Sequence, residues 1–183
     1  LSDDRKHEMK VSHYIHYPEA CRFLVAVEQS QLAGRPVNTL TTVNLEQLGI
    51  PPVECSHYLR YSLQKLRKLF ERQGCPWCVA WVLENSKRNG VHAHILIHRN
   101  PPLISDWRAF RVLVLKAFNQ LKPPPRAIRS CKFRTWFQSY EQSRGNLENY
   151  LLKGIRPEVA GLLDINATPQ GVIYGKRVGT SNI

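Results

Sequence analysis

The stretch Val91-His92-Ala93-His94-Ile95-Leu96-Ile97-His98 alternates aliphatic side chains with imidazoles and leaves little choice but a strand. A strand turns successive side chains to opposite faces. Val91, Ala93, Ile95 and Ile97 therefore line one side, while His92, His94, Leu96 and His98 line the other. The aliphatic side calls for a layer of helices. Upstream, Val79 to Glu84 reads as a second strand, and Asn85 to Gly90 has the Asn, Ser and Gly content of a hairpin loop. If residues 85 and 91 close that hairpin, Glu84 falls opposite His92 on the same face. An isolated His-x-His pair is at home as two half-buried imidazoles bonded to their neighbours. A carboxylate in register with it tips the reading toward a metal site made of Glu84, His92 and His94. His98, roughly 13 Å further along the strand, is too far to join them and is expected at the sheet edge.

Charge points to what such a metal would act on. The 183 residues carry 26 Lys and Arg against 14 Asp and Glu, a formal net charge of +12, which is the electrostatic footprint of a phosphate-backbone partner. With 43% hydrophobic residues the chain can bury a core, so one folded domain over 1–183 with a basic surface is expected, its core spanning about 38–154. No apolar run approaches the roughly 20 residues of a membrane helix, and Leu1 to Lys6 lack the apolar centre of a signal peptide. Five cysteines, an odd number, argue against a disulfide framework. These features predict a soluble intracellular protein, cytoplasmic if bacterial or plasmid-encoded and nuclear if eukaryotic or viral. The missing initiator Met suggests a processed or excised fragment.

The remaining pattern supplies the order of elements. Pro18 to Gly34 reads as a helix, Thr39 to Leu45 as a strand, and Pro51-Pro52 opens a helix with Leu59, Leu63, Leu66 and Phe70 on one face, closed by Gly74. After the hairpin, Ser105 is the expected N-cap of a helix carrying Trp107, Phe110, Val114, Ala117 and Leu121. Ala127 to Phe137 reads as a strand, and Asn146 as the cap of a short helix ended by Gly154. The resulting βαββαβ order is that of an α+β, ferredoxin-like (split βαβ) antiparallel sheet with helices on one face and a metal and nucleic-acid site on the other, open face. In the tail, Pro157 to Leu163 reads as a helix and Val172 to Tyr174 as a short strand, with no chemistry assigned.

Tyr150 and Lys153 stand three residues apart and share a face of the last core helix. A tyrosine there is ordinarily a packing residue. Beside a metal its hydroxyl becomes a candidate nucleophile for a phosphodiester, with a lysine to hold the anionic phosphate. His92-Ala93-His94 and Tyr150-Leu151-Leu152-Lys153 resemble the His-hydrophobic-His and Tyr-x-x-Lys motifs of HUH endonucleases of the single-tyrosine replication-initiator (Rep) type, and Thr41 to Asn44 is similar to their weaker first motif. The resemblance implies a metal-dependent endonuclease and strand transferase on single-stranded DNA, acting in rolling-circle replication initiation or related transposition. It implies Mg²⁺ or Mn²⁺ on His92 and His94 with Glu84 as third ligand. Tyr150 would form a 5′-phosphotyrosine link and Lys153 would orient the phosphate. No Walker-type phosphate loop occurs, so a partner helicase would lie on another domain or chain.

Asn44, Lys132 and Arg134 are the candidate DNA contacts, the last two as cations on the final strand. The basic residues of the second helix, Arg60 to Arg72, read as its solvated face. Cys75-Pro76-Trp77-Cys78 has the form of a thioredoxin motif but leaves a helix and enters a strand, the reverse of the redox arrangement. The competing reading is a nonenzymatic single-stranded nucleic-acid-binding module of the same fold. It would be expected to place aromatic platforms on strand 91–98, which has none.

Overall fold

The computed structural model describes residues 10–104, 106–132 and 140–181. Its centre is a five-stranded antiparallel sheet in the order β5-β2-β4-β3-β7, built from β2 (Thr39–Asn44), β3 (Val79–Ser86), β4 (Gly90–Ile97), β5 (Ile128–Lys132) and β7 (Val178–Thr180). A second, two-stranded ribbon pairs β1 (Val11–Ser12) with β6 (Ile173–Tyr174), joining the N-terminal segment to the tail. The expected hairpin forms with the expected register, Glu84 opposite His92 and Asn85 opposite Val91. Strand β4 lies inside the sheet, with Asn44 of β2 opposite His92 on its other side.

The aliphatic face of β4 packs as its alternation requires. Val91, Ala93, Ile95 and Ile97 meet Leu59, Leu63, Leu66 and Phe70 of α2 (Cys55–Glu71) and Phe110, Val114 and Ala117 of α3 (Trp107–Ala117) in one buried cluster. The cap of α3 is Asp106, whose carboxylate accepts from the Arg108 N–H at 2.9 Å; Ser105 lies outside the described residues. Helix α3 stops short of Leu121, which is 80% exposed, because Asn119 turns to φ +52° and breaks the helical hydrogen bonding.

The second face is not open as expected. Helices α1 (Tyr17–Leu32) and α4 (Tyr140–Leu152) close part of it, with Ala20, Phe23 and Val27 of α1 and Leu151 and Leu152 of α4 packed on Ala80, Val82 and Leu96. The cause is legible in β3, which is apolar on both faces from Val79 to Leu83; a strand of that kind must be sandwiched. Asn146 does not cap α4 but lies within it on an exposed position. Gly154 follows the helix, then come α5 (Pro157–Ala160) and a turn of 3₁₀ helix at Gly161–Leu163. No helix among the described residues is long and apolar enough to cross a membrane.

Candidate metal centre

Where α1 and α4 leave the sheet uncovered, the even-numbered side chains of β3 and β4 are polar. The donor atoms of Glu84, His92 and His94 all lie within 4.8 Å of one another, and the three residues form a group that could hold a metal ion. Glu84 Oε2 is 3.4 Å from His92 Nε2 and 3.7 Å from His94 Nε2. All three are buried, Glu84 to 2% exposure. Cross-strand pairing brings Glu84 to His92, and the period of two brings His92 to His94, whose rings meet edge to face at 5.1 Å.

Each imidazole is held through its other nitrogen. His92 Nδ1 is 2.9 Å from the Gly90 carbonyl, which can only accept, so Nδ1 donates to it and Nε2 is the nitrogen turned to the carboxylate. His94 Nδ1 is 3.1 Å from Thr42 Oγ1. His94 Nε2 and Glu84 Oε1 are buried with no hydrogen-bond partner, an expensive arrangement for two polar atoms of one buried group. A divalent ion bound to two imidazoles and one carboxylate satisfies both, which is the fit expected of a metal site.

Burial alone would push the Glu84 carboxyl up. The His92 and His94 rings beside it and the Lys153 charge more than offset that and hold it well below the usual carboxylate range. Lys153 Nζ lies 3.1 Å from Glu84 Oε2 and also 3.6 Å from the centre of the Tyr150 ring, over its face. Tyr150 in turn stands edge to face with His94, ring centres 5.5 Å apart. At 47% exposure Tyr150 is not a core residue; its ring packs on the site and its other side meets solvent. Helix α4 thus brings Tyr150, and the turn directly after it brings Lys153, to the group formed by β3 and β4. Tyr140, ten residues earlier on α4, is about 15 Å away along the helix axis.

The predicted nucleic-acid contacts divide. Asn44 sits beside His92 and lines a groove of about 520 Å³ with Gln47, Arg88, Asn89, Arg126 and Arg129. Its Oδ1 also accepts from the Gln47 N–H at 3.0 Å. Lys132 is not brought to the site. It pairs with Thr39, four residues from Val43 and its partner Ile128, and so lies toward the far end of β5 on the face packed by α2 and α3. Directly opposite residues share a face, so Arg129, opposite Thr42, takes the position that was assigned to Lys132. The period of two on this strand is real; its phase depends on pairing with β2. Arg134 lies outside the described residues.

Other residues settle into structural work. His98 Nδ1 is 2.8 Å from the Pro36 carbonyl, just past the end of β4 and away from the metal group. Cys75 and Cys78 are free and buried, and burial pushes both thiols up, the opposite of a redox thiolate. The tail has a part the sequence did not reveal. Arg177, 1% exposed, donates to the Ser12 carbonyl at 2.9 Å, and burial lowers its pKa to about 10 despite the opposing pull of Glu84 and Glu19. Comparison with family models, with curated proteins and with solved structures gave no match.

Proposed function

We propose that this chain is a metal-dependent, single-tyrosine nicking endonuclease of the HUH type acting on single-stranded DNA. The observation that carries the reading is the meeting of two segments more than fifty residues apart: the Tyr150 ring against His94 and the Lys153 ammonium on Glu84, over a His-x-His pair completed by a carboxylate. Packing alone does not ask for a half-exposed phenol on a buried charged cluster. The strand order β5-β2-β4-β3 with α2 and α3 on one face supports a ferredoxin-like core, extended by β7 and covered in part by α1 and α4.

In this reading Glu84, His92 and His94 hold the ion, and when bound it supplies Lewis acidity toward a phosphoryl oxygen. Two nitrogen donors suit Mn²⁺ better than Mg²⁺, which prefers oxygen. Tyr150 Oη attacks phosphorus, forming the tyrosyl ester as the bond to the 3′ oxygen breaks. The phenolic proton passes to solvent and the departing 3′ oxygen gains one, leaving a 5′-phosphotyrosine and a free 3′-hydroxyl. The ester retains the phosphodiester energy, so the reverse attack by a 3′-hydroxyl rejoins or transfers the strand. Lys153, held over the tyrosine ring, keeps the phenol oriented and offers its charge to the phosphate. Rolling-circle initiation or single-strand transposition is the setting such chemistry serves.

The test is a denaturing gel of wild type and Tyr150→Phe with a labelled pool of single-stranded DNA, with Mn²⁺ and with chelator. A metal-dependent covalent band lost in the variant is expected. Salt-sensitive binding without any such band would replace this reading with that of a binding module.

A further inference from the structure

We propose that the groove beside His92 is a nucleic-acid backbone track, in which Arg88, Arg126 and Arg129 take successive phosphates of a single strand and Gln47 and Asn89 meet its bases. The proposal rests on the nicking reading for the identity of the strand, but its evidence is separate. The three guanidiniums come from three different places in the chain: the β3–β4 turn, the turn before β5, and β5 itself. Among the described residues, no carboxylate lines the groove they share. A volume of about 520 Å³, open to solvent, accommodates an extended chain, and His92 of the metal group is part of its wall.

Arg126 gives the strongest reason to read this as a built surface. It follows Pro125 in a tight turn closed by the Ala127 N–H donating to the Pro124 carbonyl at 3.1 Å, and it holds φ +67°. That left-handed conformation suits glycine and strains an arginine. The turn is fastened to the site, since the Ala127 carbonyl accepts from the Asn44 N–H at 2.7 Å. Glycine would hold this φ without strain, and the arginine that stands there instead lines the groove. Phosphate contacts of this kind position a strand, while the exposed amide side chains of Gln47 and Asn89 on the same groove can both donate to and accept from base edges.

The experiment is a fluorescence titration of a labelled single-stranded oligonucleotide of mixed sequence, in chelator and across a salt series, with Arg126→Gly, Arg129→Gln, Arg88→Gln and, as a control of equal charge loss on the opposite side of the sheet, Arg72→Gln. Arg126→Gly should melt no lower than wild type, yet bind roughly fivefold or more weakly. Each groove variant should flatten the slope of log affinity against log salt by about 0.7, the value for one lost single-strand phosphate contact. Unchanged affinity and slope in the groove variants, an equal loss in Arg72→Gln, or no binding by wild type would each overturn the track. Loss confined to the groove variants, in a protein that forms no covalent adduct, would keep the track and discard the nickase.

Discussion

The Lys153 ammonium lies 3.1 Å from Glu84 Oε2, joining the turn that ends α4 to the carboxylate beside the two imidazoles. The pair is largely buried, the Lys153 side chain 18% exposed and that of Glu84 2%. Removing one partner of a buried pair leaves the other uncompensated. Glu84→Gln should therefore cost about 2–4 kcal/mol of stability, and Lys153→Met should recover part of that in the double variant. The folded-state pKa of Glu84 is depressed below its ordinary 4.5, so its contribution is present above about pH 4.5 and is lost as pH falls below it. Chemical denaturation of wild type and Glu84→Gln between acid and neutral pH should show the difference narrowing on the acid side. A constant difference would contradict the assignment.

Tyr150→Phe removes one oxygen from a ring that is 47% exposed and keeps its contacts to His94 and Lys153. Stability should change by less than about 0.5 kcal/mol, as for a surface substitution, while covalent capture of DNA disappears. Melting curves and the gel measure the two separately. A variant that unfolds would instead mark the hydroxyl as structural.

Binding of an ion to the folded state alone raises stability by mass action, about 2.7 kcal/mol at a hundredfold excess over Kd. Mn²⁺ should thus raise the melting temperature of wild type in a concentration-dependent way, and His92→Ala or His94→Ala should abolish the shift. His98→Ala should preserve it, because that ring is engaged with the Pro36 carbonyl and stands apart from the group. An equal shift in all three variants would place the ion elsewhere.

Much of this site was legible because it is local or periodic. A period of two fixes which residues of β4 share a face, and a short turn fixes Glu84 opposite His92. The Tyr150 and Lys153 pair was readable as a motif, but their arrival over Glu84 is a tertiary fact. Three things escaped for physical reasons. The phase of β5 is set by its pairing with β2, which exchanged Lys132 for Arg129. The cover on the second face depends on α1, whose apolar stripe did not reveal which layer it joins. Strand β7 is three residues long with a glycine in its middle, a poor strand signal. Gly179 is there because a side chain would collide with the Trp81 indole at 2.5 Å, so only the fold explains the residue.

Helix α4 carries a pH-sensitive contact as well as the proposed nucleophile. Burial raises the Glu148 carboxyl to about 7; Glu28 of α1 pushes in the same direction, and Arg144, with Nε 3.5 Å from Oε1, opposes both. A carboxyl whose folded pKa exceeds its ordinary 4.5 stabilises the fold fully below about pH 4.5, and that contribution is lost as pH rises through about 7. Above that range an ionised Glu148 beside Glu28 loosens the seat of α4 on α1. Glu148→Gln, neutral throughout, should therefore be the more stable protein at pH 8 by about 1 kcal/mol, with the advantage shrinking toward pH 5. Thermal melts at the two pH values decide it, and a variant less stable at pH 8 would mean that the ion pair with Arg144 outweighs burial.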